Sequence, residues 1–105
     1  MAITYTIIFD VQPAAHDRFL TLLTDVLDAM RAEPMFHHAM LHRDPSSPYR
    51  YMLHETWESH QDVLDVQLQR PYRAEWHAAL PELLARDREI SVWKPLRHDQ
   101  RVDAQ

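Results

Sequence analysis

The chain has 105 residues, the size of one domain. A domain this small buries a modest share of its surface, so pairing with a second copy is a common remedy. Sixteen acidic residues against eleven basic ones give a net charge of -5, which argues against duplex nucleic acid as a partner, because phosphate contacts need a basic patch. Cysteine, glycine and asparagine are absent, which excludes disulfides, thiolate metal sites, a cysteine nucleophile and glycine-rich phosphate loops.

The lack of cysteine fits a reducing compartment. The start, MAITYTIIFDV, has neither the basic head nor the long apolar run of a signal peptide, and nowhere do ~18 apolar residues run together as a membrane span requires. A cytoplasmic protein with no membrane partner is therefore expected. Ten arginines against one lysine, Lys94, suggest GC-rich coding and a bacterial source. The eight histidines should erase much of the negative charge in mild acid, since imidazole titrates near ~6.5.

Residues 2–11 alternate, with Ile3, Tyr5, Ile7, Phe9 and Val11 on one side, and predict a strand with one buried face. Pro13 opens a helix at the position where its missing N–H costs nothing. Ala15, Phe19, Leu22, Leu23, Val26, Leu27 and Met30 form its apolar stripe, and Glu33-Pro34 ends it. Residues 35–43 and 50–58 read as two strands joined by the turn-rich loop DPSSPY. Ser59 caps a second helix over 60–69, with Asp62 three residues on. Pro71 starts a further helix carrying Tyr72, Trp76 and Ala79, which Pro81 is expected to break before one more turn with Leu83 and Leu84. Residues 88–96 form the last strand. The domain spans 2–96, and 97–105 is a polar tail.

The order β-α-β-β-α-β is that of the α+β, ferredoxin-like fold with a four-stranded antiparallel sheet and helices on one face. In the hairpin, one parity carries Phe36, His38, Met40, Tyr51, Leu53 and Trp57, and the other Met35, Ala39, Leu41 and Met52. Apolar groups on both faces imply a second cover, most simply another copy of the chain.

Pairing Arg43 with Arg50 sets His42 opposite Tyr51, His38 opposite Glu55 and Phe36 opposite Trp57. A carboxylate facing an imidazole would fix its tautomer and raise its basicity, as acid–base work needs; the plainer reading is a structural pair at a dimer seam. A slip to the next pairing sets His38 against His54. His38 and His42 share a strand face but are ~13 Å apart, too far for one zinc bound at ~2 Å, so no metal is expected. Trp57, Tyr72, Trp76 and Trp93, with Met30, Met40 and Met52, are core-forming types that could also line a flat cavity between sheet and helices. Arg73 and His77, on the helix of Trp76, could supply polar contacts there.

The segment YMLHETWES (Tyr51, Leu53, Glu55, Trp57, Glu58, Ser59), a short helix ending in Gln67-Leu68, the Pro71-Tyr72 step and an aromatic helix together resemble the antibiotic-biosynthesis monooxygenase family. The resemblance implies a ferredoxin-like protomer that pairs through its sheet into a dimeric α+β barrel. It also implies oxidation of a quinol or polyphenolic aromatic by O2 without metal or flavin, in a dry aromatic pocket with a base. On that reading His38, His54 or His77 is the base, Glu55 orients, and Trp57, Tyr72, Arg73 and Trp76 bind substrate. Gln67 stands where many relatives carry histidine, and Tyr72 follows Pro71 where many carry histidine. The asparagine of the haem-degrading branch has no counterpart, although Trp76-His77 lies near that branch's histidine. A non-catalytic dimeric module for aromatic metabolites and a haem-binding relative are the alternatives.

Overall fold

The computed structural model describes residues 1–103; of the expected tail, Ala104 and Gln105 lie outside the described residues. The elements run β1 (Ile3–Asp10), α1 (His16–Met30), β2 (Phe36–Arg43), β3 (Arg50–Trp57), α2 (His60–Asp65), α3 (Ala74–Leu83) and β4 (Glu89–Trp93), with single 3₁₀ turns at Pro13–Ala15, Gln67–Gln69 and Pro71–Arg73. The four strands form one sheet in the order β2-β3-β1-β4, all antiparallel. This is the ferredoxin-like arrangement that the element order predicts.

Alternation sets the inner face. Tyr5, Ile7 and Phe9 of β1 and Tyr51, Leu53 and Trp57 of β3 are buried against Phe19, Leu22, Leu23, Val26 and Met30 of α1 and Trp76, Ala79 and Leu83 of α3. At the centre, Phe19 meets Phe9 edge-on at 5.3 Å and Trp76 lies 5.7 Å from both rings; such pairs add about 0.5–1.5 kcal/mol each beyond their buried area. Ser59 caps α2, its hydroxyl accepting from the Asp62 N–H at 3.2 Å.

Several expectations need correction. The second helix, expected over 60–69, ends at Asp65 and gives way to the 3₁₀ turn at Gln67–Gln69, and the last strand, expected over 88–96, spans Glu89–Trp93. The helix expected to run to Glu33 stops at Met30, and a turn closed by Glu33 N–H to Met30 O at 3.0 Å leads to Pro34. Pro81 does not break α3 but lies inside it. The helix ends two residues later, and Leu84 N–H still reaches Leu80 O at 3.1 Å, so the missing Pro81 N–H leaves only the His77 carbonyl without its helical donor.

The hairpin register is the largest departure. Arg43 pairs with Tyr51, His42 with Met52, Ala39 with Glu55 and His38 with Thr56, while Phe36 still faces Trp57. A bulge between Phe36 and His38 inserts one unpaired residue, and at that point His37 Nε2 lies 2.9 Å from Glu58 Oε2. An extra residue reverses the parity that follows. Phe36 therefore faces inward, whereas His38 and Met40 move to the outer face, and the expected His38–Glu55 pair does not form.

Candidate functional site

Glu55 occupies an inward position of β3, between Leu53 and Trp57. A carboxylate among core residues breaks the binary pattern, and such breaks mark functional sites. It is 7% exposed and lines a cavity of about 220 Å3 between the sheet and α2–α3. Ile7, Val63, Leu64, Leu68 and Ile90 form the apolar wall, and Tyr5, His60, Arg73, His77 and Arg88 are the other polar groups.

Three elements bring these groups together. The capped N-terminus of α2 presents His60, whose Nδ1 lies 2.6 Å from Tyr5 Oη. The 3₁₀ turn at Pro71–Arg73 delivers Arg73, 6% exposed, with its guanidinium carbon 5.7 Å from the Trp57 ring centroid and 5.6 Å from that of Tyr72, within cation–π range. Past α3, the Val11–Leu84 bridge and the 2.7 Å bond from Ala85 N–H to Asp10 O pin the chain to the end of β1, and Arg88 follows at the cavity wall.

Burial pushes the Glu55 carboxyl above its ordinary range, against the pull of the Arg73 charge, a 3.3 Å hydrogen bond from Trp57 Nε1 and the Arg88 charge. Burial lowers His77, and Arg88 and then Arg73 lower it further. The site thus holds two guanidinium cations, a carboxyl biased toward its neutral form and an imidazole biased toward its basic form.

The expected site residues divide between the two faces. Glu55, Arg73 and His77 line the inner cavity. Trp57 and Trp76 are core residues; Trp57 reaches the site only through Glu55 and Arg73. Tyr72 is half-buried beneath Arg73, its hydroxyl donating to Glu33 at 3.5 Å. His38 and His54 lie across the sheet, their rings parallel at 5.6 Å with His98 6.2 Å from His38, beside a separate open cavity of about 530 Å3 that also includes Met40, His42 and Gln100. Met40, Met52 and Trp93 do not line the inner cavity, and Met30 is core. Gln67 is fully buried, its amide donating to Asp62 at 3.1 Å. Among the described residues, no group of three histidine or carboxylate side chains could hold a metal ion.

The sequence reading missed Tyr5, His60 and Arg88. Tyr5 was legible as an inward residue of an alternating strand, and His60 as the first residue after a cap. Arg88 lies between helix and strand, where no periodicity marks it.

The profile of the antibiotic biosynthesis monooxygenase family matches residues 2–84. A candidate monooxygenase from Pestalotiopsis microspora is 30% identical over 84 residues, covering 79% of this chain and 70% of that protein. Among solved structures, Rv0793 from Mycobacterium tuberculosis superposes with a TM-score of 0.84 at 23% identity, over 95% of this chain and 100% of its own. SnoaB, a cofactor-independent oxygenase from Streptomyces nogalater, superposes with a TM-score of 0.78 at 20% identity, over 92% and 95% of the two chains. The chain belongs to the antibiotic biosynthesis monooxygenase family.

Proposed function

We propose that this protein is a cofactor-independent monooxygenase that oxidises a small quinol-type or polyphenolic aromatic with O2 in the inner cavity. The observation that carries the reading is the buried Glu55 carboxyl set in an apolar cavity beside Arg73, Arg88 and His77. An aromatic ring fits the apolar wall, and its oxygen substituent pairs with the guanidiniums, which favour the electron-rich anionic form. His77, biased toward its neutral form, takes a proton from the ring carbon that is oxidised, and Glu55 orients the guanidiniums. For a methylene carbon the balance is simple. The carbon becomes a carbonyl and gives up four electrons to O2; one oxygen stays on carbon and the other leaves with two protons as water.

In the same reading a second copy covers the outer sheet face, where Met40 and Trp93 are exposed, and the protein works in the cytoplasm. Sedimentation equilibrium should give twice the chain mass, and a monomer at every concentration would sink the dimer. Oxygen uptake with a panel of hydroquinones and anthrone-type compounds, without added metal, tests the activity; the reading fails if none of them binds or consumes O2. Gln67, which is buried, donates to Asp62 and does not line the cavity, favours a second reading, a non-catalytic module for aromatic metabolites. That module would show thermal stabilisation by ligand and no turnover.

A further inference from the structure

The cavity contains a second proton-handling group besides His77. Tyr5 Oη and His60 Nδ1 are 2.6 Å apart, and both residues line the cavity. They differ in access to solvent: Tyr5 is buried, whereas His60 is exposed. The Ser59 cap fixes the start of α2, and the His60 ring lies 5.8 Å from the Tyr5 ring. With the hydroxyl donating to an unprotonated Nδ1, the His60 proton resides on Nε2, and the Tyr5 oxygen keeps its lone pairs for another partner.

We propose that Tyr5 and His60 form a proton relay that carries the proton of a hydroxyl bound in the cavity out to solvent. The relay rests on the reading above, in which an aromatic oxygen substituent binds there. In the step, the ligand's hydroxyl proton passes to Tyr5 Oη while the Tyr5 proton passes to His60 Nδ1. The ligand is left as an oxyanion, Tyr5 is again a neutral phenol, and His60 becomes an imidazolium that releases its Nε2 proton to water. No electron moves.

Two features favour this route over His77 for the hydroxyl proton. Burial, and then the Glu55 charge, raise the Tyr5 phenol, so Tyr5 passes a proton on more readily than it gives one up for good. A proton on His77 is opposed by burial and by Arg88 and Arg73, whereas those same two cations attract the oxyanion that the relay leaves behind.

The test uses 4-nitrophenol, whose visible absorption separates phenol from phenolate, bound to the full chain, with its proton loss followed in time after a rapid pH jump. A relay that gives its proton to water changes the rate of this loss and not its equilibrium position. Wild type is compared with Tyr5→Phe, His60→Gln, the double variant and His77→Gln. The bound probe should lose its proton roughly 10²-fold faster in wild type than in either relay variant. The double variant should be no slower than either single one, because both break the same chain. His60→Gln alone carries the test should Tyr5→Phe disturb the core, since His60 is exposed. Equal rates for wild type and His60→Gln, with the probe bound, would overturn the relay and leave the cavity reading standing. A slowing in His77→Gln but not in His60→Gln would assign the acceptor to His77 and likewise overturn it. Failure of 4-nitrophenol to bind wild type would remove the cavity reading, and the relay with it.

Discussion

On the helix side of β3, Glu55 sits 7% exposed under two arginines; one residue earlier on the same strand, His54 lies parallel to His38 in an open cavity on the other side. The two faces solve the problem of polar groups differently. On the inner face desolvation dominates, so the carboxyl leans toward neutrality and needs cations beside it. On the outer face of the single chain three imidazoles crowd beside an open cavity, with water within reach until a second copy covers them. Perturbed acid–base chemistry therefore concentrates on the side where water is excluded, although the histidines are more numerous on the other.

This contrast should be visible in stability first. Trp57→Ala, at a site with no exposure, should lower the unfolding free energy by about 3–5 kcal/mol, whereas His54→Ala should stay within about 0.5 kcal/mol in protein dilute enough to be monomeric, both read from urea denaturation. A cost at His54 that matches that at Trp57 even in the monomer would break the contrast between the faces, and one that grows with protein concentration would report the second copy. Activity should divide in the same way. His77→Gln should reduce oxygen consumption with a turned-over quinol by roughly 10²-fold or more, and His54→Gln should leave it unchanged. The reverse pattern would move the site to the outer face.

A smaller effect concerns Glu55. Its folded carboxyl is raised above the ordinary 4.5 by burial, so the folded chain holds this proton to higher pH than the unfolded chain does. Wild type therefore loses stability as pH rises from near 4.5 through the folded value, and Glu55→Gln lacks that loss. The urea midpoint of the Gln variant should gain on wild type as pH rises above the ordinary 4.5; a constant difference would mean that Glu55 is not desolvated. The smallest effect is expected at His38, lowered by burial and then by His54, His98 and His37. There the unfolded chain binds the proton first as pH falls below the ordinary 6.5. Wild type loses stability over that fall, and His38→Gln should flatten the loss slightly, because the ring is largely in solvent.

Much of the fold was legible because its signals are local and periodic. The alternation from Ile3 to Val11, the α1 stripe ending at Met30 and the Ser59 cap all act within a few residues. The hairpin register was not legible, because a bulge at His37 depends on tertiary contacts such as the His37–Glu58 pair and leaves no mark on the pattern. That one residue displaced His38 from Glu55. Of the candidate site, Glu55 shares the parity of Tyr51, Leu53 and Trp57, and Arg73 and His77 share one helical segment. Arg88 and the Tyr5–His60 contact join parts of the chain far apart in sequence, and no spacing rule connects them.

The bulge also bears on how a chain like this one can change. A relative that kept every residue but straightened the bulge, so that the residue at 37 paired with Thr56, would carry the His38 imidazole facing inward, toward the carboxylate of β3. The choice between an acid–base pair in the interior and a row of histidines at the surface would then turn on where the hairpin takes up one extra residue rather than on its composition.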